Sequence, residues 1–224
     1  MSILKEDTDS IKKTNSSNSI NKRPKSQKLV LIGDSNVGKT SIIDQFIDGR
    51  FGETKPSVGA LHKLKTIKLN SSDSDNTSSH EEVQLDIWDT AGQEKFKSIV
   101  PMYYKGSKGI MIIYDITSSD SFEGAKRWIN DIETSYNSAA LFLVGNKIDL
   151  NDSRNISTEE AVNYANSKNI SHFECSAKTN EGILEVFTAV ASKMPKNVDS
   201  SNLNKVTLNN NNSLSSSDQG GCCR

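Results

Sequence analysis

The chain has 224 residues, room for one well-buried domain plus tails. Its 27 Lys and Arg against 28 Asp and Glu leave a formal charge of −1, so no global field marks nucleic acid as a partner. Three cysteines, Cys175, Cys222 and Cys223, are no disulfide framework and fit a reducing cytosol.

Residues 1–27 are rich in Ser, Asn and Lys without apolar periodicity and read as a disordered arm with no secretory h-region. Leu29–Ile32, Ile110–Tyr114 and Leu141–Val144 read as strands buried on both faces, as in a parallel sheet covered by helices. These apolar runs fall far short of the roughly 20 residues that cross a bilayer. A helix is expected from Ser41 to Ile47. Leu64–Leu69 and Val83–Trp88 read as a hairpin joined by a polar loop from Asn70 to Glu82. Phe122, Ala125, Ile129 and Ile132 recur at helical spacing, as do Ile183, Val186, Phe187 and Val190. Ser157 with Glu160 forms a capping box opening a helix through Ala165. Pro195 stops the last helix, and residues 195–224 form an Asn/Ser-rich flexible tail. The result is an α/β domain over 28–194, with a mostly parallel sheet and helices on both sides.

Four segments carry the chemistry. Gly33-Asp34-Ser35-Asn36-Val37-Gly38-Lys39-Thr40 follows a strand and precedes a helix, the context a P-loop requires. Its backbone N–H groups and the helix N-terminus face phosphates, which approach closely at Gly33 and Gly38. Lys39 supplies positive charge to the β- and γ-phosphates, and the Thr40 hydroxyl ligates Mg²⁺. In Asp89-Thr90-Ala91-Gly92-Gln93, Asp89 ends a strand and can reach Mg²⁺ through a water. Gly92 can offer its N–H to the γ-phosphate, and Gln93 can orient an attacking water. Asn146-Lys147-Ile148-Asp149 selects the base. The Asp149 carboxylate accepts from the N1–H and exocyclic amine of guanine, whereas adenine would leave it unpaired, a discrimination of about 10⁴ or more. Asn146 and Lys147 brace the P-loop and cover the base. In Ser176-Ala177-Lys178, the Ala177 N–H can bond the guanine carbonyl, with Lys178 flanking. An ATP-using kinase or ATPase is hard to reconcile with Asp149.

With these segments the domain resembles the Ras superfamily of small GTPases, a P-loop fold with a six-stranded, mostly parallel sheet. Trp88-Asp89-Thr90-Ala91-Gly92-Gln93-Glu94, continuing through Lys95-Phe96-Lys97-Ser98-Ile99 to Tyr103-Tyr104-Lys105-Gly106, resembles a Rab switch II. Pro101-Met102-Tyr103-Tyr104 and Gly59-Ala60 are similar to the endosomal Rab subgroup. The resemblance implies a slow GTPase cycling between GTP and GDP in vesicle trafficking, monomeric, with an exchange factor, a GTPase-activating protein and effectors. It also implies that Phe51 packs on the guanine. Switch I departs from the family pattern: Ser57 stands where a Thr ligates Mg²⁺, the stretch from Phe51 to Ser57 is one residue short, and His62 replaces an aromatic that packs with Trp88 and Tyr103. Ser57 keeps the hydroxyl ligand. A nucleotide-locked scaffold with little turnover is the alternative that this departure leaves open.

Gly220-Gly221-Cys222-Cys223-Arg224 lacks a C-a-a-X box and resembles a double-geranylgeranylation signal. One lipid binds only marginally, and Lys196, Lys205 and Arg224 make no polybasic patch, so both chains are needed. Anchoring to the cytoplasmic face of an intracellular membrane, an endosomal one among them, or of the plasma membrane, is expected. A cytosolic pool and prenyl-delivery and extraction proteins go with it. His62, His80 and His172 form no metal pattern.

Overall fold

Strands built from the apolar runs pair into one six-stranded sheet in the computed structural model, which describes residues 26–52, 61–70, 80–90, 100–136 and 138–195. In chain order the elements are β1 (Ser26–Ile32), α1 (Lys39–Asp48), β2 (Leu61–Asn70), β3 (His80–Asp89), α2 (Val100–Tyr104), β4 (Gly109–Asp115), α3 (Ser119–Ser135), β5 (Ala140–Asn146), α4 (Thr158–Ser167), β6 (Ser171–Glu174) and α5 (Ile183–Lys193). A 3₁₀ turn, Ile148–Ser153, lies between β5 and α4. The strand order is β2-β3-β1-β4-β5-β6. β2 and β3 form the antiparallel hairpin, and every other pairing is parallel.

The strands alternate between two cores. Leu29, Leu31, Met111 and Ile113 face Phe46 of α1 and Val186, Phe187 and Val190 of α5. Val30, Ile32, Ile110 and Ile112 face Tyr104 of α2, Phe122 and Ile129 of α3, and Ala161 and Ala165 of α4. Uninterrupted apolar strands are what a sheet covered on both faces demands.

Helix ends follow their capping residues. The Ser157 hydroxyl accepts from the Glu160 N–H at 3.0 Å, as the capping box requires, and α4 runs two residues beyond its expected end. Ser118 caps α3 in the same way, accepting from the Ser121 N–H.

The differences from expectation are local. β1 begins at Ser26, and Gln27 is buried in it, so regular structure enters the stretch read as a disordered arm. The hairpin strands extend to Asn70 and from His80, which shortens the polar loop at both ends. β6 and α2 carry too little apolar periodicity to be anticipated.

Candidate guanine-nucleotide site

The chemistry gathers where the parallel strands end. Gly33 follows β1, Asp89 closes β3, Asp115 closes β4, Asn146 closes β5 and Cys175 follows β6. In open α/β sheets this C-terminal edge is where ligands bind.

From β1 the chain turns through Gly33–Gly38 into α1. A side chain at Gly33 would place its Cβ 2.3 Å from the Ile113 carbonyl oxygen. Gly38 has φ 93, and a Cβ there would lie 2.3 Å from Asn146 Nδ2. Only glycine lets the loop lie this close to β4 and β5. Lys39 opens the helix with 6% of its surface exposed. Its ammonium donates to the carbonyl oxygens of Gly33 and Asp34, both at 2.8 Å. Burial lowers its pKa to about 8, against the opposing pull of Asp89 and Asp34. A desolvated ammonium whose described hydrogen bonds go to neutral carbonyls is prepared for an anionic partner such as a phosphate.

Thr40 Oγ1 donates to Asp89 Oδ2 at 2.6 Å. Thr90 Oγ1 donates to the Leu31 carbonyl at 2.7 Å, fixing the end of β3 against β1. A hydroxyl and a carboxylate oxygen side by side at the loop mouth are the hard oxygen donors that Mg²⁺ takes, so the residues present fit this ion. Thr40 and Asp89 would hold it, and when bound it would neutralise phosphate charge.

The base residues are joined to the loop through Asn146, which is 1% exposed. Its Nδ2 donates to the Val37 carbonyl at 2.9 Å, and its Oδ1 accepts from the Ala177 N–H at 3.2 Å. Asp149 lies in the 3₁₀ turn. Its Oδ1 accepts from Ser176 Oγ at 2.7 Å, and Lys178 Nζ lies 3.7 Å from its Oδ2. Ser176 Oγ in turn accepts from the backbone N–H groups of Lys178 and Thr179. A carboxylate hydrogen-bonded through Oδ1 and barely exposed is suited to accept from a ligand's N–H donors. Lys147 adopts φ 71, and its Nζ meets Asp115 Oδ2 at 2.5 Å. Burial pushes the Asp115 carboxyl up, but hydrogen bonds from Lys147 and Thr117 outweigh it and hold the group below its usual range.

Asn36 completes the loop in a left-handed conformation, with Ser35 beside it in the turn. Phe51 stands half exposed beyond α1, which Gly49 caps. Ser57, Gly92, Gln93, Cys222 and Cys223 lie outside the described residues. His62 sits opposite Trp88 in the hairpin, with ring centroids 5.2 Å apart. Cys175 is packed in the core, where burial pushes its thiol up to about 12. Two contributors were not anticipated. Asp115 had a signal, an acidic residue at the end of a parallel strand like Asp89, whereas Trp128, which reaches Asp34, had none.

A model of the Ras family matches residues 28–196. The chain belongs to the Ras family. It is 40% identical over 171 residues to the Ras-related protein RHN1 of Nicotiana plumbaginifolia, covering 75% of this chain and 81% of that protein. Ras-family small GTPases bind GTP and GDP with Mg²⁺ and hydrolyse GTP, and the fold and its nucleotide-facing edge agree with that activity. Among the described residues, no helix is long and apolar enough to cross a membrane.

Proposed function

We propose that this Ras-family GTPase is a Rab-like switch in vesicle trafficking, recruiting effectors in its GTP state. The observation that carries the nucleotide chemistry is the convergence of Lys39, the Thr40–Asp89 pair and the Asn146–Asp149–Ala177 group on one edge of the sheet. Resemblance of the segment from Trp88 to Gly106 supports the Rab assignment.

In this reading Lys39 and the loop N–H groups stabilise charge on the phosphates, Asp149 and the Ala177 N–H read guanine, and Gln93 positions the attacking water. Ser57 supplies a further Mg²⁺ ligand. Among the described residues no arginine stands at the phosphate loop beyond Arg127, whose Nη2 is 4.0 Å from Asp34 Oδ2 and which is largely exposed. Turnover is therefore slow until a GTPase-activating protein contributes a cation, an effect of about 10³–10⁵. An exchange factor reloads GTP. Geranylgeranyl groups on Cys222 and Cys223, delivered and extracted by partner proteins, anchor the chain to the cytoplasmic face of an endosomal or other membrane. Replacing both cysteines by Ser leaves it cytosolic, and persistent membrane association would refute the anchor.

The deciding experiment denatures the purified protein and identifies the released nucleotide. GDP supports a hydrolysing switch. GTP supports the alternative, a nucleotide-locked scaffold whose atypical Ser57 region no longer sustains turnover. In single-turnover assays Gln93→Leu slows hydrolysis, and an unchanged rate would remove that residue from the mechanism.

A further inference from the structure

The second residue of the phosphate loop is held from outside the loop. Trp128 Nε1, on α3, donates to Asp34 Oδ1 at 3.1 Å. The same carboxylate rests on Gly124, one turn earlier in α3: a Cβ at that position would lie 2.0 Å from Asp34 Oδ2. Glycine is disfavoured in a helix interior, and Gly124 is buried in the middle of this one. The Asp34 carboxylate occupies the space that a side chain there would take.

What this contact fixes is adjacent to the chemistry. The carbonyls of Gly33 and Asp34 both accept from the Lys39 ammonium. A residue whose carbonyl orients the lysine and whose side chain is bonded to a helix far along the chain cannot turn freely about its backbone. A hydrogen bond to a carboxylate is among the stronger kind. Arg127 adds little, because its approach of 4.0 Å is long and solvent-exposed.

We propose that α3 positions the phosphate loop, with Trp128 and Gly124 holding the Asp34 carboxylate and thereby the carbonyls that the Lys39 ammonium engages. Trp128 is a positioning residue and need not touch the nucleotide. The inference rests on Gly33–Thr40 being the phosphate site.

The test loads the full chain with a fluorescent GDP analogue and follows its release into excess GDP with Mg²⁺. Trp128→Phe keeps an aromatic ring, though a smaller one, and loses the donor, and release accelerates about tenfold, the loss of one hydrogen bond to a charged group. Asp34→Asn, which retains an acceptor oxygen, accelerates release less than Asp34→Ala does. Trp128→Phe in the Asp34→Ala background adds little, because both remove the same bond. Gly124→Ala accelerates release although its thermal midpoint does not fall as it would for a disrupted helix, a separation that a purely structural role does not produce. Arg127→Ala stays within about twofold of the wild type. Unchanged release in Trp128→Phe, or strict additivity of Trp128→Phe and Asp34→Ala, overturns the proposal while leaving the nucleotide site intact. A wild-type chain that retains no guanine nucleotide overturns both.

Discussion

Thr40 Oγ1 and Asp89 Oδ2 lie 2.6 Å apart, joining the first turn of α1 to the last residue of β3. The two oxygens come from α1 and from β3, and in the proposed reading both serve one divalent ion. Thr40→Asn replaces the hydroxyl with a bulkier amide. We expect GTP affinity to fall about 10- to 100-fold and nucleotide retention to lose most of its dependence on Mg²⁺. Release rates with and without a chelator measure this, and an unaltered response to chelation would take Thr40 out of the metal site.

Ser176 Oγ donates to Asp149 Oδ1 and orients a carboxylate that, in the proposed reading, accepts from guanine. Asp149→Ala removes the acceptor pair, so the preference for GTP over ATP should drop by about 10³-fold or more. Competition of each nucleotide against bound fluorescent GDP reads the ratio. Retained preference would move base recognition to the backbone of Ala177.

Lys39 gives the site a pH dependence. Burial lowers its pKa from 10.5 to about 8. In the nucleotide-free protein the folded pKa is below the unfolded one, so folding disfavours the proton. The resulting penalty is full below pH 8 and is relieved as pH rises from about 8 towards 10.5. Bound phosphates favour the charged form and reverse the effect. At and above about pH 8 nucleotide binding should therefore take up a proton, and affinity should weaken by up to about tenfold per pH unit there. Calorimetry in buffers of different ionisation enthalpy detects the proton, and Lys39→Met should abolish it. Binding with no proton uptake would refute the assignment.

Phe187 of α5 stacks on Phe46 of α1 with ring centroids 3.7 Å apart and planes within 8°. Phe187→Ala leaves a cavity beneath the helix that carries Lys39 and Thr40. Unfolding in urea should show a loss of about 3–5 kcal/mol, partly recovered when GDP and Mg²⁺ are in excess. A loss below about 1 kcal/mol would mean that the core collapses around the gap.

The strands were legible where both faces are buried, because uninterrupted apolar runs such as Ile110–Tyr114 have few other uses. The loop residues were legible because phosphate and guanine chemistry demand particular groups at particular spacings. β6 escaped notice because Ser171–Glu174 is short and half-buried, with His172 and Glu174 turned to polar partners: Tyr114 Oη lies 3.0 Å from His172 Nε2, and Arg154 clasps Glu174 with Nη1 and Nη2. The Lys147–Asp115 and Trp128–Asp34 contacts join residues far apart in the chain, and no local pattern announces them. Ser57 and Gln93 lie outside the described residues, and their roles are read from the sequence.

Asn146 uses a single amide to engage both halves of the pocket, its nitrogen on Val37 and its oxygen on Ala177. A rigid planar group so placed makes the phosphate end and the base end one mechanical body, and ordering either end also orders the other. The affinity of the intact nucleotide should consequently exceed what guanosine and pyrophosphate, supplied as separate molecules, achieve together. Either fragment alone would have to organise the whole pocket with half of the contacts.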